Sequence, residues 1–188
     1  MPPSRLILWA VLILGTPSPW VTDVGAQDVP PPEQQAQFLV RAFGFDRALV
    51  DRGALRIAVL YVEEPAEAEP MRSALEAVGS PGVQGLPVTA VAVRFESVAT
   101  LLEGFEEEGV TAVYIPGTLA PALSSIQQVT RARGLVSLSG GRRLVEQGVA
   151  MGVYMSGNGP RLIVNLRSLQ IEGADISAEV LGISEIIR

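Results

Sequence analysis

No cysteine, histidine or lysine occurs anywhere in the 188 residues. Lacking thiol and imidazole, the chain has no disulfide, no cysteine nucleophile, no His-based triad and no structural zinc site. Lacking lysine, it has no Schiff base and no Walker-type phosphate contact. All fourteen bases are therefore Arg, set against twenty acids for a formal charge of −6. That balance argues against a nucleic-acid groove, which needs a net basic face. Long apolar runs are also lacking: Leu6 to Leu14 is nine residues, too short for a bilayer core of about 30 Å at about 1.5 Å per helical residue.

That short run fits an export signal. Arg5 precedes it, Gly15 to Pro19 break any helix after it, and Val24-Gly25-Ala26 supplies the small residues a signal peptidase reads. Residues 1–26 are expected to be a signal peptide cleaved after Ala26, which sends the domain to the periplasm with no transmembrane segment left. A mature protein without cysteine must be stable there on its core alone. Residues 27–33, with Pro30, Pro31 and Pro32 in a row, read as an extended linker. The globular domain is then 34–188, a size typical of one domain.

Along this domain strands and helices alternate. Apolar spacing predicts a helix from Gln34 to Asp51, bent at Gly44 and stopped by Gly53. Leu55 to Val62 is a nearly continuous apolar strand, Glu64 to Val78 a helix, and Val88 to Phe95 a second strand. Ser97 caps a helix over Val98–Glu108, whose terminal Glu106-Glu107-Glu108 reads as a solvated rim. Val110–Ile115, the helix Thr118–Arg133, Leu135–Leu138 and a short helix to Gln147 follow. Val149–Met155 and Arg161–Asn165 flank Gly157-Asn158-Gly159, a hairpin signal, and a capped helix from Ser177 to Ile187 ends the chain. The pattern predicts a three-layer α/β sandwich: a mixed, mainly parallel sheet flanked by helices, with a C-terminal β-hairpin plus helix.

The last third resembles a known family. Gly134-Leu-Val-Ser-Leu-Ser139, Val145-Glu-Gln-Gly148, Met151-Gly-Val-Tyr-Met155, Arg161-Leu-Ile-Val-Asn165 and Gly173-Ala-Asp-Ile-Ser177 are similar in order and spacing to the end of the YfiR/HmsC family. Gly148, Met151, Arg161, Asn165 and Ser177 fall on its motif positions. The family's N-terminal Trp-Pro segment is replaced by Ala42-Phe-Gly-Phe-Asp-Arg47, and the cysteines used by some members are missing. The resemblance implies an exported, non-enzymatic regulator that binds the periplasmic domain of a membrane-bound diguanylate cyclase or sensor kinase. A homodimer is compatible with it.

Three sets of residues invite a role. Ser139-Gly140-Gly141 with Arg142 and Arg143 joins a strand to a helix, where free N–H groups and guanidinium groups suit an anion; a tight turn with two surface arginines is the plainer alternative. Phe38, Phe43 and Phe45 suit a partner contact, against simple packing under the linker. Asn165 suits a turn anchor, and Arg161 an ion pair across strands. No cofactor, metal or catalytic residue is expected: Ser139 lacks a base, and the Glu63-Glu64 and Glu106 clusters sit at helix ends facing water. The rival functions are a periplasmic small-ligand-binding module and an enzyme working with carboxylates alone.

Overall fold

A computed structural model describes residues 28–188, so the signal peptide expected over residues 1–26 lies outside the described residues. Seven strands form one sheet in the order β2-β1-β3-β4-β5-β6-β7. They are β1 (Leu55–Tyr61), β2 (Val88–Arg94), β3 (Ala112–Ile115), β4 (Val136–Gly140), β5 (Met151–Ser156), β6 (Gly159–Asn165) and β7 (Glu185–Ile187). β1 to β5 run parallel, β6 runs antiparallel to β5, and β7 is parallel to β6.

Among the described residues there are eight α-helices: α1 (Pro32–Phe43), α2 (Leu49–Arg52), α3 (Glu69–Gly79), α4 (Val98–Glu108), α5 (Leu123–Arg133), α6 (Arg142–Glu146), α7 (Leu166–Ile171) and α8 (Ala178–Ile183). Side chains of a strand alternate between faces, which divides the core in two. Leu55, Ile57 and Val59 meet α1, α3, α7 and α8, whereas Ala58 and Leu60 meet α4, α5 and α6. Burial on both faces explains the nearly continuous apolar run of β1 and β3.

Several boundaries differ from the sequence reading, each for a local reason. Pro32 and Glu33 belong to α1 rather than a linker, because proline is well suited to the first helical turn. The long first helix is two: α1 stops at Gly44, and Asp46 forms a bridge to Ile176 that the helix could not continue through. Asn165 does anchor a turn, its Oδ1 accepting the Ser168 N–H at 3.1 Å, and in doing so it caps α7, a helix the apolar pattern did not reveal.

The terminal helix expected to reach Ile187 ends at Ile183, and Glu185–Ile187 pairs with β6. Two successive β-branched residues beside an open sheet edge favour the strand. Ser177 stands at the N-cap of α8, but its hydroxyl makes no capping bond. The hairpin turn is Gly157-Asn158 between the paired residues Ser156 and Gly159, with the positive φ of 110° on Gly159.

Candidate functional site

A groove of about 370 Å³ runs between α1, α8 and β6. Its floor is apolar: Phe38, Ala42 and Phe45 from the α1 side, Leu162 from β6, and Val180 and Ile183 from α8. Ile183 is 77% exposed and Phe45 39%, large for apolar side chains. Arg41 and Glu179 give the rim one charge of each sign.

α1 explains how the groove arises. Gln35, Ala36, Leu39, Val40, Ala42 and Phe43 turn inward, which leaves Gln37, Phe38 and Arg41 along the outer side. Phe43 was expected with the partner-contact residues; it is fully buried, because it stands one turn after Leu39 on the core face. Gln37, Arg41 and Phe45 also border a second, more polar hollow of about 530 Å³ with Val78, Val83 and Gln84. The outer side of α1 is thus a ridge between two depressions.

Asp46 holds the two walls of the groove together. It is fully buried, and its Oδ1 accepts the N–H groups of Ala48 (3.1 Å) and Asp175 (2.8 Å). The Ser177 N–H donates to Phe45 O at 3.0 Å, while Gln84 Nε2 donates to Phe43 O and Asp46 O at 3.1 and 2.9 Å. Arg52 lies 3.7 Å from Asp46 Oδ2, and the pair is largely shielded from water. These bonds place Phe45 beside the start of α8. Sequence reasoning missed Asp46 and Gln84; the Asx turn Asp46-Arg47-Ala48 was the one available local signal.

The candidate anion loop is filled by the chain itself. Ser139 is buried and donates to Ile115 O at 2.9 Å. A Cβ on Gly140 would fall 2.5 Å from Gln35 Oε1 and 2.9 Å from Tyr114 Oη, and one on Gly141 3.2 Å from Val29. Gln35 donates to Pro30 O at 2.6 Å and accepts from Tyr114 Oη at 2.7 Å, and Met155 N–H donates to Asp28 O at 2.9 Å. Residues 28–31 therefore lie across the carboxyl ends of β4 and β5. Arg142 is paired with Glu185 and lies over the Tyr154 ring; Arg143 remains exposed. Glu185 also accepts from Tyr154 Oη, which holds that phenol above its usual range.

The remaining motif residues are structural in their contacts. Met151 is buried in the core. Gly148 has φ of 104°, with Gln127 and Arg131 packed so closely that a Cβ would touch both. Arg161 is exposed opposite Tyr154 and has no ion pair among the described residues. Arg133 and Arg56 pair with Glu106 and Glu108, so two members of the acidic rim are ion-paired at the surface.

Glu172 is the second buried carboxylate among the described residues. Its oxygens accept from Ser137 N–H (2.7 Å), Ser137 Oγ and Thr130 Oγ1 (2.9 Å). Burial holds it above the usual carboxylate range, against the lowering effect of those donors. Asp46 is thus committed to the bonds that join the groove's walls, and Glu172 to interior contacts between α5, β4 and the end of α7. Among the described residues no group of His, Cys, Asp and Glu is arranged to hold a metal ion.

Comparison with known proteins bears on the family and on the fold. The family model described as YfiR/HmsC-like matches residues 33–185. No curated protein sequence matches. Among solved structures, an ABC domain in complex with L-Trp from Streptococcus pneumonia is 16% identical, with a TM-score of 0.61 over 84% of this chain and 62% of that one. A conserved domain protein from Vibrio cholerae is 14% identical, TM-score 0.60, covering 86% and 61%. A substrate binding protein with adhesive properties from Clostridium difficile, in its ligand-free open form, is 12% identical, TM-score 0.53, covering 75% and 57%. At these identities the likeness is one of fold, and the chain spans about three fifths of those structures.

Proposed function

The chain belongs to the YfiR/HmsC-like family, and from that premise we propose that it is an exported, non-enzymatic regulator that binds the periplasmic domain of a membrane-bound diguanylate cyclase or sensor kinase. The groove between α1 and α8 carries the reading. Phe45 and Ile183 are large apolar side chains on the surface, and bonds from Asp175 and Ser177 to Asp46 and Phe45 tie the Phe45 turn to the start of α8. A preformed apolar strip with a charged rim suits protein contact. Regulation follows if the groove binds one arrangement of the partner more tightly than the other, since only such a difference shifts output.

The rival reading, a small-ligand module, draws on the fold likeness to a substrate binding protein. Open α/β sheets take ligands outside the carboxyl ends of the strands. Here Asp28 to Pro31 cover the ends of β4 and β5, with Val29 against Gly141, which favours the regulatory reading.

The test is recovery of a membrane partner by the tagged mature protein, with the partner identified by mass spectrometry. Ile183→Asp and Phe45→Asp are expected to cut recovery of a cyclase or kinase at least tenfold, about 1.4 kcal/mol. Equal recovery by both variants, or turnover of a metabolite by the purified chain, overturns the reading.

A further inference from the structure

Among the described residues one non-glycine has a positive φ: Gln84, at 52°. With Gly85, at 80°, it forms a two-residue turn between Val83 and Leu86, whose backbones exchange two N–H···O bonds of 2.9 Å. A turn of this mirror-image type favours Asn, Asp or Gly at its first position, since a left-handed backbone is easiest for a short polar side chain or none. Glutamine bears the strain without that advantage. Where a residue breaks a local preference, the gain lies in what it reaches.

Gln84 reaches the end of α1. The turn packs there, so that a Cβ on Gly44 would lie 4.0 Å from Val83. Gln84 Nε2 donates to Phe43 O at 3.1 Å and to Asp46 O at 2.9 Å, across 41 and 38 positions of sequence. Both carbonyls can only accept, which fixes the amide with its nitrogen toward them. They bracket Phe45, whose own carbonyl accepts the Ser177 N–H from the start of α8 at 3.0 Å. Asparagine would suit the turn, but it is shorter by one carbon–carbon bond, about 1.5 Å, and cannot span to both carbonyls.

We propose that Gln84 is the positioning residue of the α1–α8 groove: the turn takes a disfavoured side chain so that its amide fixes Phe45 opposite α8. The inference rests on the reading of that groove as the partner contact. Gln84 is absent from the groove lining and acts through Phe45. Local preference and groove geometry therefore pull in opposite directions at this position, and substitutions separate them. Gln84→Asn satisfies the turn and releases the clamp. Gln84→Met keeps the reach and loses both donors. Gln84→Glu keeps the reach and, when ionised, turns acceptors toward acceptors.

The test is amide hydrogen exchange of the full mature chain, read at Ser177, together with thermal unfolding and recovery of the membrane partner. A glutamine serving stability alone moves exchange and Tm together; a positioning one moves Ser177 with Tm held. Gln84→Asn is expected to keep Tm within about 2 °C of wild type, while Ser177 exchanges about tenfold faster and recovery of a cyclase or kinase falls about tenfold. Gln84→Met is expected to give the same two losses at a lower Tm. Gln84→Glu should match it at pH 7 and regain Ser177 protection, relative to wild type at the same pH, below about pH 4.3, where the carboxyl carries a proton to donate. Should Gln84→Asn fail to fold, the other two variants decide. Wild-type protection of Ser177 in the variants, or quickening spread evenly over the sheet, overturns the proposal. If wild type recovers no cyclase or kinase, the proposed function falls, and exchange at Ser177 still decides the role of Gln84.

Discussion

Glu172 shows how much a single buried side chain does here. It joins α7 to β4 and α5 through Ser137 and Thr130, and Ser137 Oγ in turn accepts the Ala150 N–H at 2.9 Å. Glu172→Ala leaves those donors without an acceptor and is expected to cost about 1–3 kcal/mol in denaturant unfolding. The pH dependence has a definite sign. A carboxyl held above its unfolded value binds more protons when native, so its contribution is full below about pH 4.3 and is lost as pH rises through the native value. Glu172→Gln, which keeps a carbonyl acceptor, is expected to flatten the fall in Tm over that window. Gly140 offers a steric counterpart: Gly140→Ala drives a methyl into Gln35 and Tyr114 and is expected to cost about 1–3 kcal/mol. Neither role was readable beforehand, since Glu172 meets partners 35 and 42 positions away and Gly140 packs against the distant Gln35 and Tyr114, and no spacing rule connects them.

Helix and strand ends are governed more locally, and there the sequence says more. Ser97 accepts the Thr100 N–H at 3.2 Å, and Thr100 Oγ1 accepts the Ser97 N–H at 3.0 Å, the reciprocal cap that Ser97 suggested for α4. Ser97→Ala is expected to cost about 1 kcal/mol, with thermal unfolding as the measure. The C-terminal element behaves otherwise. Ser184 to Ile187 continues an apolar period that reads as helix, yet the vacant side of β6 takes it as a strand. Glu185 then supplies the partner of Arg142 and Tyr154. Glu185→Ala leaves the phenol without its acceptor and Arg142 with only its helical neighbour Glu146 at 3.7 Å, and proteolysis of the C-terminal residues is expected to quicken as β7 frays.

At the scale of the whole molecule, the α1–α8 groove unites segments about 140 positions apart, and its exposed side chains do little for stability. Ile183→Asp, at the more exposed position, is expected to shift stability by no more than about 0.5 kcal/mol, measured by denaturant unfolding, while partner recovery falls. Of the three phenylalanines picked out as contacts, Phe38 and Phe45 line the groove and Phe43 lies in the core. Helical periodicity alone does not tell the two apart where a helix ends and the chain turns. What the sequence determined by itself was the layered α/β architecture, the hairpin and the family, because apolar period, turn residues and motif order are local properties of the chain. Tertiary structure alone decided the buried acids, the strand at the C-terminus and the bonds of Gln84. Each of those depends on which distant segment supplies the hydrogen-bond partner.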